Sequence, residues 1–203
     1  MTVHLNASLS AEIRAATTQL PLYNGGPGVD YTHAETAYAA SVTLIHLMDD
    51  GTVATPDILL VKGRGGERNP SVWGAVSGYI DTMNDPQGVL SDALFDPVAF
   101  TARNELAEEC SLAESATDVI DLRLGRPFAE PRRGGRGVVH ILPLLGICRG
   151  RYKPPVKTDG TELIGHAWAP ITQVLRWPDL SPGYMSHTLP RALGTIGLQL
   201  PDA

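Results

Sequence analysis

Apolar and polar positions along the chain follow two periods, and the switches between them mark out its elements. Residues 8–20 (SLSAEIRAATTQL) carry apolar side chains at helical spacing and read as a short amphipathic helix, with a Gly/Pro-rich connector after it at 24–28. Residues 40–48 (ASVTLIHLM) and 57–62 (DILLVK) read as strands joined by a turn around Asp49-Asp50-Gly51. Trp73 to Ile80 (WGAVSGYI) reads as a strand interrupted by glycine, and 82–95, rich in Pro, Gly, Asn and Asp at its start, as a loop insertion. Helix signals then converge. Asp96 suits the N-cap and Pro97 the first helical position, Phe95 and Phe100 stand at the staple positions, and Ala99, Leu106 and Cys110 form an inward stripe. Residues 118–124 and 137–148 read as strands joined by a loop at 128–136, and 164–169 as another strand. Residues 171–177 read as a short helix, and 184–196 as a closing helix broken near Pro190. Strands before and after a central helix give a mixed α/β or α+β class rather than a regular βαβ alternation.

Composition narrows the function classes. A chain of 203 residues with 43% hydrophobic and 19% charged residues can bury one sizeable core, so a single globular domain is expected. The net charge of −6 and the lack of a long basic stripe argue against nucleic acid as a partner, though not against a small phosphate-bearing ligand. Two cysteines, Cys110 and Cys148, make no disulfide framework and no CxxC pair. No signal-peptide pattern opens the chain, and the longest apolar stretch, Val138 to Cys148, is too short to span a bilayer, so a soluble, cytoplasmic protein is expected with no membrane partner.

The chemistry concentrates on the central helix. Glu105, Glu108 and Glu109 fall within an arc of about 100° on one face. Their helical neighbours at i±4 (Thr101, Asn104, Leu112, Ala113 and one another) include no basic side chain. Glutamates on a helix are most often solvated surface. Hard oxygen donors without Lys or Arg beside them are also what a divalent cation such as Mg²⁺ needs.

Gly78 followed by RNELAEECSL (103–112) resembles the Nudix box: a Gly, five residues, Glu, seven residues, then R-E-U-x-E-E-x-G-U, with U aliphatic. Glu105, Leu106, Glu108, Glu109 and Leu112 match position for position. WGAVSGYID (73–81) resembles the strand and turn leading into the box, and Trp168 in HAWAPITQVL the later W-x-P segment, so the resemblance runs over residues 40–177. Three departures stand out. Asp96 replaces the first Glu, with about a dozen residues inserted ahead of it; Asn104 stands where the box has Arg; Ser111 replaces the last Gly.

The resemblance implies an α/β/α sandwich around a mixed sheet, with an extension at 1–37 and the insertion at 82–95. It implies a pyrophosphohydrolase that uses Mg²⁺ or Mn²⁺ on Glu105, Glu108, Glu109 and the Gly78 carbonyl. Glu162 lies in a region where some members carry the catalytic base. The substrate implied is a nucleoside diphosphate linked to another moiety; Pro127 stands where the ADP-ribose pyrophosphatase subgroup tends to have proline. A silent nucleotide-binding sensor is the alternative, and a homodimer is left open. Beside these, Arg132, Arg133 and Arg136 could clamp a phosphate or simply line an exposed loop. His46 and His140 read as satisfied core histidines, Cys110 as a small buried apolar residue, and GRGGER (63–68) as a loop between strands.

Overall fold

The computed structural model describes residues 7–17, 20–21, 30–48, 55–66, 70–80, 96–112, 120–132, 137–158 and 160–200. The turn expected at 49–51, the insertion at 82–95 and the staple residue Phe95 lie outside them. Helix α1 (Ala7–Thr17) leads to strands β1 (Thr36–Leu47), β2 (Asp57–Gly63), β3 (Trp73–Gly74) and β4 (Val76–Tyr79). Helix α2 (Pro97–Cys110) comes next, then β5 (Asp121–Leu124), β6 (Phe128–Pro131), β7 (Val138–Arg149) and β8 (Leu163–Pro170). Helix α3 (Ile171–Val174) and a π-helical turn, Tyr184–Thr188, that runs into α4 (Leu189–Gly194) close the chain.

The eight strands form one mixed sheet. β1 and β7 run parallel along twelve paired positions at its centre, and every other pairing is antiparallel. β1 is buried nearly end to end and β7 from Leu142 to Cys148, because helices cover both faces of the sheet. Tyr38, Ala40, Val42 and Leu44 of β1 pack with Ile13 of α1 and Val98, Ala102 and Leu106 of α2. Ile45 of β1 and Leu145 of β7 pack instead with Ile171 of α3 and Leu189, Ala192 and Leu193 of α4. The result is a three-layer α/β/α sandwich, the class the sequence led us to expect.

The sheet forks along one edge of β1. β2 pairs with β1 only at Ile58–Ile45 and Asp57–His46, and β4 occupies the same edge of β1 from Ala39 to Val42. β1 and β2 therefore diverge, and the segment 73–79 crosses the fork, pairing first with β2 as β3 and then with β1 as β4.

Two expectations are corrected. Residues 128–131, expected in a loop, form β6 and pair with Val138–Ile141 of β7; the chain reads as loop because Pro131 and the glycines beyond it mask a four-residue edge strand. The closing helix is not broken at Pro190. The Leu189 N–H reaches back to the Tyr184 carbonyl, a π-type turn directly ahead of the proline, and this wider turn accommodates a ring that would crowd a regular α-helix. Among the described residues, no helix is long and apolar enough to cross a membrane.

Candidate active site

Helix α2 forms as its caps dictate. One Asp96 carboxylate oxygen accepts the N–H groups of Val98 (3.0 Å) and Ala99 (3.1 Å), and Pro97 occupies the first helical position. At the other end Ser111 takes the left-handed conformation (φ 51°, ψ 30°), and the Leu112 N–H returns to the Leu106 carbonyl at 3.3 Å. Val98, Ala102, Leu106 and Cys110 seal the inner face, with Cys110 in the small apolar role expected of it. This fixes the rotation of the helix, and with it the direction of the glutamates.

The register of β4 against β1 places Gly78 opposite Ala40, on the face that looks at α2. The Glu105 carboxylate lies directly against it. A Cβ built on Gly78 would stand 1.8 Å from Glu105 Oε1 and 2.2 Å from its Cδ, so only glycine leaves room for the carboxylate. Burial first, then the charges of Glu108 and Glu162, push the Glu105 pKa up to about 7. Glu162 stands 57 positions later in the chain (162 − 105), yet its charge is felt at Glu105. Its turn is tied to the end of β2: the Arg64 N–H donates to the Glu162 carbonyl at 2.8 Å, and the Arg64 guanidinium to the Gly160 carbonyl. The described part of the GRGGER loop thus anchors the Glu162 turn. Glu108 is exposed, whereas Glu109 is only 8% exposed.

Glu109 is buried because it turns into the fork. A cavity of about 450 Å³ opens there, lined by Glu109 of α2, Ser77 and Tyr79 of β4, Trp73 of β3, Glu130 of β6 and Tyr184 of the π-helical turn, among others. A second cavity, about 290 Å³, adjoins it and shares Ser77, Tyr79 and Thr188. Ser77 and Tyr79 alternate with Gly78 along β4, so one short strand gives its glycine to the glutamates and its neighbours to the cavity. Sequence reasoning missed Tyr79, Glu130 and Tyr184. The period-two alternation around Gly78 was the one signal that could have found Tyr79; Glu130 required recognition of β6.

The remaining expected residues divide. Arg132 lines the larger cavity, but its guanidinium donates to the backbone carbonyls of Tyr31 and Ala34, so part of its role is to hold the segment ahead of β1. Arg133 and Arg136 lie outside the described residues. His46 is buried at 3% exposure, yet neither ring nitrogen has a hydrogen-bond partner among the described residues; it packs against the Trp168 ring at 6.2 Å, so it is a core histidine but not a satisfied one there. His140 is half-buried, stacked on Tyr38 at 5.2 Å. Among the described residues, no three His, Cys, Asp or Glu side chains are already gathered as a metal cage. The donors nevertheless match a hard cation in kind: carboxylates at three positions on one helical face, with the backbone of Gly78 against the first of them.

No family model matches the sequence, and no curated protein matches it. Solved structures do match the fold. A Nudix hydrolase from M. smegmatis, RenU, superposes with a TM-score of 0.56 at 15% identity, over 85% of this chain and 91% of its own. A Nudix hydrolase from Alicyclobacillus acidocaldarius gives 0.53 at 15% identity, over 82% and 98%. The Nudix domain of Shewanella oneidensis NrtR, solved in complex with ADP ribose, gives 0.51 at 17% identity, over 74% and 82%.

Proposed function

We propose that this chain, which has the Nudix fold, is a hydrolase that cleaves the diphosphate linkage of a nucleoside diphosphate joined to another moiety. The observation that carries the proposal is the Glu105 carboxylate seated on Gly78, with Glu108 and Glu162 close enough to raise its affinity for protons. A half-buried carboxyl crowded by two others is unfavourable for folding, and a bound cation is what would reward it. Glu105, Glu108, Glu109 and the Gly78 carbonyl would hold Mg²⁺ or Mn²⁺, with exposed Glu108 turning in to join the others. Such a cation, when bound, neutralises diphosphate charge and lowers the pKa of a coordinated water.

The chain's own residues do the rest. Gly78 fixes the position of Glu105 by offering no side chain of its own. Glu109 reaches the cavity where the diphosphate would lie. Glu162, on the Arg64-anchored turn and close enough for its charge to act on Glu105, would take a proton from the attacking water. Arg132 adds positive charge at the cavity wall, opposite the charge that develops on the phosphoryl oxygens. ADP-ribose and nucleotide sugars are the substrates to try first; support comes from the ADP ribose in the Shewanella oneidensis structure and from Pro127.

The test is a panel of nucleotide diphosphate compounds with Mg²⁺ or Mn²⁺, read as release of phosphate or monophosphate. Glu109→Gln should abolish turnover while leaving the circular dichroism spectrum unchanged; retained activity in that variant removes the mechanism. Asn104, standing on α2 where the Nudix box has arginine, favours a second reading, a nucleotide-binding module without turnover. Binding without release across the panel would select it.

A further inference from the structure

Among the described large apolar or aromatic side chains lining these two adjoining cavities, Tyr79 is the one left widely open, at 48% exposure. It stands on the wall shared by the two adjoining cavities, one of which also contains Glu109. Exposed tyrosines are ordinarily mobile, but this one is braced. Tyr31, from the segment ahead of β1, stacks on it with ring centroids 5.1 Å apart and planes 27° from parallel. Tyr31 is itself buried, and its hydroxyl donates to the Ile80 carbonyl, next along the chain from Tyr79. Arg132 lies 6.0 Å from the Tyr79 ring centre and is fixed in turn by the Tyr31 and Ala34 carbonyls. Tyr31 and Arg132, from separate parts of the chain, thus hold a flat ring rigid while nearly half of the residue stays in solvent.

Packing alone does not account for this, since an aromatic side chain gains most when it is buried. A rigid, open ring beside a cavity is what another flat π-system needs, because the ordering cost has been met before the ligand arrives. A puckered sugar would touch such a surface through a few hydrogens only. We propose that Tyr79 is the stacking platform for the nucleobase of the ligand, with Tyr31 and Arg132 as the residues that position it. This rests on the ligand being a nucleotide and adds to that reading which end of the molecule is recognised where.

The experiment is titration calorimetry with AMP and with ribose 5-phosphate, without divalent cation, on the wild-type chain, Tyr79→Phe and Tyr79→Leu. AMP should bind the wild type more tightly than ribose 5-phosphate does. Tyr79→Leu should weaken AMP by roughly tenfold or more, the usual scale for loss of one base–aromatic stack. Tyr79→Phe should keep AMP affinity within about threefold, since the ring face is retained. Binding of ribose 5-phosphate should be unaffected by either change. Should Tyr79→Leu fail to fold, Tyr79→Val, better suited to a strand, takes its place. Equal binding of the two ligands by the wild type, failure of AMP to bind it, or full AMP affinity in the leucine or valine variant would each overturn the assignment. No turnover is involved, so a chain inert in the hydrolysis panel that still passes this test keeps the platform and loses only the hydrolase reading.

Discussion

At the residue scale, the contact between Gly78 and Glu105 separates a structural role from a chemical one. In Gly78→Ala the new methyl would fall on the end of a flexible side chain, which can swing away, and alanine suits a strand better than glycine does. Stability should therefore change by less than about 1 kcal/mol. Hydrolysis should drop roughly 10–100-fold, because the carboxylate is no longer held in place. Urea titration and a kinetic assay on the same preparation check both halves; a large loss of stability with unchanged activity would contradict the placement of Glu105. The raised Glu105 pKa adds a pH signature. Its ordinary value is 4.5 and its folded value about 7, so between those limits the folded chain keeps a proton that the unfolded chain releases. Without divalent cation, stability should fall as pH rises through that window and level off above it. Glu105→Gln should remove that component of the slope, measured by chemical denaturation at several pH values in the presence of a chelator.

Helix α2 shows at the element scale what a sequence can and cannot reveal. Its start was legible from Asp96 and Pro97, because a cap is a local transaction between one side chain and the next few N–H groups. Its left-handed end at Ser111 was legible from the position where the Nudix box has glycine. The two ends respond to substitution with opposite sign. Asp96→Ala should destabilise by about 1 kcal/mol through the loss of both capping bonds. Ser111→Gly should stabilise by about 1 kcal/mol, since glycine adopts φ 51° without the steric cost of a Cβ. Shifted urea midpoints with unchanged slopes would confirm that each acts on the helix end alone. The burial of Glu109 was not legible. Glutamate on a helix face reads as surface, and what buries it is the fork between β1 and β2, whose strands lie far away in sequence. β6 was missed for a related reason: four residues ending in proline carry too little pattern to outweigh the glycines beside them.

At the scale of the whole molecule, the sheet and the site are one piece of architecture. A mixed sheet with helices on two faces could be expected from the family resemblance, but the divergence of β1 from β2 could not. It depends on segment 73–79 changing partners at Ala75, and no local signal marks such a switch. Yet that switch brings Gly78 to one face and Tyr79 to the other, opens the cavity, and turns Glu109 into it. A ligand bound there would therefore be felt across the fold rather than at one loop. If Glu105, Glu108 and Glu109 hold a divalent cation, binding to the folded chain alone must raise its thermal midpoint by mass action. Protons compete for the same oxygens, and the Glu105 value near 7 sets where they stop doing so. The rise in midpoint on adding MgCl₂ should accordingly be small at pH 6 and larger at pH 8, opposite in sign to the decline expected without cation. Glu105→Gln and Glu109→Gln should each shrink the shift at pH 8, with no matching loss at pH 6. An unchanged midpoint at both pH values with magnesium and with manganese would mean that the carboxylates serve some other end, and the nucleotide-binding reading would stand without the hydrolase.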